Sequence, residues 1–117
     1  MSFRDLNKNG RLDPYEDPQC PIEQRVEDLL SQMTLEEKAG MMFQTTIRVG
    51  ANGELVEDPC PDHPCSTSAM VEGQLMTHFN VRAVVQPRQM AEWHNKLQKM
   101  AENTRLGIPI TISSDPR

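Results

Sequence analysis

The sequence predicts an α/β fold built on a parallel sheet, and three observations carry that prediction. Helical and strand-like segments alternate along the chain, as they do where helices cross over between parallel strands. Two strand-like runs, residues 81–85 and 108–112, are short, rich in β-branched residues and bounded by Gly or Pro, as expected of strands in a covered sheet. Between them, Met90, Trp93, Leu97, Met100 and Ala101 recur at helical intervals over residues 88–106, the clearest helix in the sequence.

Taken in order, the elements have local reasons. Pro21 suits the first position of a helix whose apolar stripe is Ile22, Val26, Leu29, Leu30 and Met33, because the first amide of a helix needs no partner. Thr34 opens a second helix. With Glu37 three residues on it makes a capping box, and Glu36 and Glu37 sit at the positive end of the helix dipole. Leu35, Ala39 and Met42 are its expected buried side. Residues 43–49, with Phe43, Thr45, Thr46, Ile47 and Val49 before Gly50, read as the first strand. Residues 50–69 are a polar, Pro-broken loop following that strand's carboxyl end. Residues 69–79 support a short helix with Met70, Val71, Leu75 and Phe79 inward, weakened by Gly73 and capped by Asn80. The second strand follows at 81–85 and stops at Gln86 and Pro87. In the long helix Glu92, Lys96, Gln98 and Lys99 face away from the apolar stripe, and Gly107 ends it. Ile108, Ile110 and Ile112 then alternate with Pro109, Thr111 and Ser113 as the third strand, with Pro109 placed at its start because it lacks an amide donor.

A chain of 117 residues suffices for one modest domain and falls well short of a complete eight-stranded barrel of roughly 250. A net charge of -5 without any Lys/Arg cluster excludes nucleic acid and an anionic membrane surface as natural partners. Nine prolines, eight methionines and few aromatics suggest long loops and a core filled by Met and aliphatic side chains. No apolar run reaches the length of a membrane span, and the first residues show no charged-then-apolar leader. Three cysteines, Cys20, Cys60 and Cys65, cannot all pair within one chain. Together these features lead to the expectation of a cytoplasmic chain in a reducing compartment.

Two segments carry metal-ligand patterns. Residues 5–16 satisfy the twelve-position calcium-loop template. Oxygens would come from Asp5, Asn7, Asn9, the Arg11 carbonyl, Asp13 and bidentate Glu16, with Gly10 at the sharp turn. The flanking helices of an EF-hand have no room, since only four residues precede the loop and Pro14 and Pro18 follow closely. The competing account is an Asn-Gly surface turn tied down by its own Asx side chains. In the second segment Cys60, Asp62, His63 and Cys65 lie within six residues. No second Cys/His pair completes a zinc site, so a Cys60–Cys65 disulfide or two free loop thiols is the better account.

The third strand delivers Asp115 to its carboxyl end, where ligands sit in barrels and open parallel sheets. Ser-Ser-Asp-Pro is also ordinary turn chemistry, in which Asp bonds its own backbone. A resemblance shifts the balance. The run from Gly107 to Arg117, together with residues 91–95 (Ala-Glu-Trp-His-Asn) and 33–40 (Met-Thr-Leu-Glu-Glu-Lys-Ala-Gly), resembles the N-terminal part of family 3 glycoside hydrolases, the β-glucosidases and their relatives. In that family the Asp after the Ile-Pro strand holds hydroxyls of the non-reducing-end sugar. Asp115 takes that place here, with Arg117 a second candidate at the mouth. His94 and Asn95 are expected to make structural polar contacts.

The resemblance implies two leading helices and the first three strands of a (β/α)8 barrel, with residues 1–20 an N-terminal extension carrying the calcium-loop-like segment and residues 21–117 the partial barrel domain. It further implies the N-terminal fragment of a retaining, exo-acting β-glycosidase acting on a β-glucoside or oligosaccharide. Such enzymes need two carboxyl groups about 5 Å apart, and in that family both would lie beyond Arg117. The isolated chain is therefore expected to be inactive. No cofactor is needed for that chemistry, and calcium would be structural. The alternative from another class is a small calcium-binding interaction module on residues 5–16. A zinc-dependent module on Cys60 and Cys65 comes third.

Overall fold

Strict two-residue alternation sets the plan of the sheet. In the computed structural model, which describes residues 3–58 and 66–115, three four-residue strands run parallel: β1 (Gln44–Ile47), β2 (His78–Val81) and β3 (Thr111–Ser114). Their order is β1-β2-β3, with Gln44 opposite His78 and His78 opposite Thr111. On one face Ile47, Phe79 and Val81 are buried with Trp93, Leu97 and Ala101, joined by Met70, Val71, Met76 and Ile110. The other face is polar, carrying Gln44 and Thr46, His78 and Asn80, Thr111 and Ser113 in register. Cys60, Asp62, His63, Cys65 and Arg117 lie outside the described residues.

Three helices accompany the sheet: α1 (Ile22–Gln32), α2 (Leu35–Met41) and α3 (Pro87–Glu102). The capping box that starts α2 is present, with Glu37 N–H donating to Thr34 Oγ1 at 3.2 Å and Thr34 N–H donating to Glu37 Oε2 at 2.9 Å. In α3 the buried residues are Trp93, Leu97 and Ala101, as their spacing predicts.

Five expectations need correction. α3 stops at Glu102, capped by Asn103, four residues short of the expected end at 106, and β3 runs Thr111–Ser114 and not 108–112, because Ile110 pairs with the Gln98 side chain instead of a strand. β2 begins at His78, three residues before the predicted start, and Val84 is fully exposed. Leu75 turns the chain with a positive φ of 58°, which lets Phe79 and Val81 serve as the inward pair; Asn80 is therefore a strand residue, not a helix cap. The helix expected over 69–79 shrinks to a single π-helical turn, Ala69–Gly73. The apolar stripes of α1 and α2 are largely uncovered: Ile22 is 71% and Met42 87% exposed, and Val26, Leu30 and Leu35 are exposed as well. What α2 buries is Gly40, where a Cβ would collide with the carbonyls of Gln74 and Leu75.

The N-terminal segment docks on the end of α3 that leads into β3. Lys8 Nζ donates to the carbonyls of Glu102 and Thr104, Arg4 pairs with Glu102 at 2.9 Å, and the buried Tyr15 hydroxyl donates to Leu106 O at 3.1 Å. Leu6 packs against Gly107, whose φ of 59° and lack of a Cβ allow the approach. No helix among the described residues is long and apolar enough to cross a membrane.

Candidate functional site

β3 delivers Asp115 because its start is fixed from α3. The Gln98 side chain, predicted to face away, instead behaves as a strand neighbour. Its Nε2 donates to Ile110 O at 2.7 Å, and Ile110 N–H donates to its Oε1 at 2.9 Å. Gln98 Nε2 also contacts His94 Nε2 at 3.2 Å, which gives His94 the structural polar contact expected of it. Four residues further on the strand ends, and Asp115 stands just beyond Ser114.

Strand adjacency brings two residues to Asp115 that the sequence reading did not nominate. Asn80 Nδ2 donates to Asp115 Oδ1 at 3.3 Å, and Arg82, just past the end of β2, places Nε 3.4 Å from Asp115 Oδ2. Asn80 Nδ2 also reaches Ser113 Oγ at 3.3 Å, which accepts from Gln44 Nε2 at 2.6 Å, so a polar row crosses all three strands. Asn80 Oδ1 is buried and has no hydrogen-bond partner among the described residues. Beside this row, Val81, Arg82, Ala83, Val84, Ser114 and Asp115 line a cleft of about 520 Å³, within the roughly 300–1,000 Å³ usual for small-molecule sites. The only sequence signal for Asn80 and Arg82 was their position near the end of a strand, and a misplaced strand start hid it.

The calcium-loop residues also come together, through hydrogen bonds within the loop. Gly10 N–H donates to Asp5 Oδ2 at 2.8 Å, and the side-chain amides of Asn7 and Asn9 each donate to Asp13 Oδ2 at 2.6 Å. Those bonds, that from Asn7 foremost, hold the Asp13 carboxyl below the usual carboxylate range. Glu16 is largely buried. Its Oε1 accepts from the N–H groups of Leu6 and Asn7 at 2.6 and 3.2 Å, and its Oε2 from Asp13 N–H at 3.0 Å. Arg11 contributes its N–H to Asn9 Oδ1 at 2.8 Å. Burial, reinforced by the neighbouring Glu16, pushes the Tyr15 hydroxyl pKa upward. Among the described residues no group of three or more His, Cys, Asp or Glu side chains is gathered to hold a metal ion.

Comparison with known proteins decides the kinship. The chain is 42% identical over 118 aligned residues, all of its length, to a periplasmic β-glucosidase/β-xylosidase of Dickeya chrysanthemi. It is 43% identical over 114 residues to β-glucosidase C of Emericella nidulans, and 40% identical over 111 residues to a probable β-glucosidase C of Aspergillus oryzae. The chain is a β-glucosidase relative. The resemblance to the N-terminal part of family 3 glycoside hydrolases is thereby borne out, although no family model matches. This β-glucosidase relative spans 17–18% of the length of those three proteins, while they cover 94–100% of it. One expectation falls: the Dickeya protein is periplasmic, so the cytoplasmic assignment is withdrawn. A mature exported chain carries no leader, and an odd number of cysteines does not by itself fix a redox compartment.

Proposed function

We propose that residues 21–117 are the opening part of a (β/α)8 barrel of a retaining, exo-acting β-glycosidase, and that Asp115 binds hydroxyls of the non-reducing-end sugar. The observation that carries this reading is the placement of Asp115 beyond the carboxyl end of β3 in a three-stranded parallel sheet, at the edge of a cleft, in a chain at least 40% identical to β-glucosidases. The parallel order and the crossover helix α3 fit the first three strands of such a barrel. A carboxylate at that rim accepts hydrogen bonds from two ring hydroxyls and orients the pyranose. Those bonds strengthen as the ring flattens toward the oxocarbenium-like transition state. The nucleophile and the acid/base belong, in this reading, to sequence beyond Arg117, so the 117 residues bind a sugar without hydrolysing a glycoside. Titration of the 15N-labelled chain with methyl β-D-glucopyranoside tests it. Shifts confined to amides around 80–84 and 112–115, abolished by Asp115→Asn, support the reading, and shifts indifferent to that substitution contradict it.

A second reading concerns residues 5–16, because the Gly10-to-Asp5 bond keeps the register of a calcium loop. Against it, the Asp13 and Glu16 oxygens already accept five hydrogen bonds from within the loop. A cation would have to displace some of these. Millimolar calcium is expected to leave the melting temperature unchanged, and a rise of several degrees would favour the calcium module.

A further inference from the structure

We infer that Arg82 is a second sugar contact, pairing with Asp115 to grip a neutral vicinal diol. This inference rests on the sugar-binding reading of Asp115 given above. Arg82 and Asp115 are 71% and 60% exposed, and their 3.4 Å separation is long for a charge-assisted bond. An exposed ion pair of that kind contributes little to folding. It is not a structural fastener. Asn80 holds the other carboxylate oxygen equally loosely, at 3.3 Å, so both oxygens of Asp115 keep lone pairs free. The guanidinium keeps N–H donors free in turn. A hydroxyl that donates to Asp115 Oδ2 offers its own oxygen to Arg82, and a neighbouring hydroxyl reaches Oδ1 in the same way.

Charge selects among sugars. The Arg82–Asp115 pair is neutral as a whole, so the site suits an uncharged glycoside. A uronate would set its carboxylate against Asp115. Arg82 is also placed to read a hydroxyl and not merely to aim Asp115, because both residues line the same cleft.

The test is the affinity of the full 117-residue chain for methyl β-D-glucopyranoside and for methyl β-D-glucuronide, read by amide shifts. Arg82→Ala should weaken glucoside binding at least tenfold with an unchanged melting temperature, Arg82→Lys should restore part of it, and the glucuronide should bind more weakly than the glucoside. If Asp115→Asn loses the sugar while both Arg82 variants bind like the parent, Arg82 is no contact and only this inference falls. Tighter binding of the glucuronide overturns the neutral-diol assignment. If the parent chain shows no sugar-dependent shifts, the sugar-binding reading itself fails and takes this inference with it. Should Arg82→Ala not fold, Arg82→Gln, which keeps the stem and one donor group, supplies the same comparison.

Discussion

The two ends of the sheet are built differently. At the amino end, where α3 turns into β3, the N-terminal segment is fastened by short bonds. Glu16 gathers three backbone amides, Lys8 bonds the Glu102 carbonyl at the end of α3 and the Thr104 carbonyl just beyond it, and Tyr15 reaches Leu106 from a buried position. Two concavities lie there, one of about 30 Å³ that is mostly apolar, lined by Val71, Leu75, Met76, Leu106, Ile108 and Ile110 among others, and one of about 240 Å³ between Arg4, Leu6, Gln98, Glu102, Gly107 and Pro109. At the carboxyl end a wider cleft opens beside Asp115, whose two contacts are long and exposed. The difference teaches that short, buried contacts are concentrated at one end, while at the other Asp115 keeps hydrogen-bonding capacity free, as the proposed sugar site requires.

Substitutions should separate the ends, and the largest effect belongs to the amino end. Glu16→Ala leaves three loop amides without their acceptor, and the chain should lose about 3 kcal/mol in urea denaturation. A loss below about 1 kcal/mol would break the contrast. Tyr15→Phe removes one hydrogen bond at constant shape, and its expected cost is about 1 kcal/mol by the same measurement.

Acidification gives a smaller effect of fixed sign. Arg105 donates to both carboxylate oxygens of Glu37, at 2.9 and 2.5 Å, and holds its pKa below the ordinary carboxylate value. Because the folded pKa lies below the unfolded one, this contribution is present above the unfolded value of about 4.5 and is lost as pH falls through the lowered folded value. Arg105 is half exposed, so the contribution is at most about 1 kcal/mol. The stability gap between the parent chain and Glu37→Gln should close on going to pH 3. A gap independent of pH would remove the ion pair from the account. The smallest effect on folding belongs to Asp115→Asn, which should change stability by no more than about 0.5 kcal/mol.

How much of this was legible in the sequence depended on whether the signal was local. The Thr34–Glu37 capping box and the Trp93-Leu97-Ala101 face depend on residues a few positions apart, and both are realised; the Gly107 stop is not, because α3 already ends at Glu102 with Asn103 as its cap, and the positive φ of Gly107 serves the later turn into β3. β2 was misplaced because Val84 and Val85 look more strand-like than His78 and Asn80, whereas pairing with β1 rewards the Phe79/Val81 alternation. Gln98, Asn80 and Arg82 were missed because their partners lie 12 to 35 residues away and are set by strand adjacency. The α1 stripe shows a different limit. Amphipathicity announces that a helix face suits a partner, and does not say that the same stretch of chain supplies one.

The central claim, that the carboxyl end of this sheet receives a sugar on Asp115, is tested most directly by a crystal structure of the chain grown with methyl β-D-glucopyranoside. The account predicts the pyranose in the cleft beside β2 and β3, with adjacent hydroxyls on the Asp115 carboxylate. A ring bound elsewhere, or a structure in which Asp115 turns away from the cleft, would contradict it.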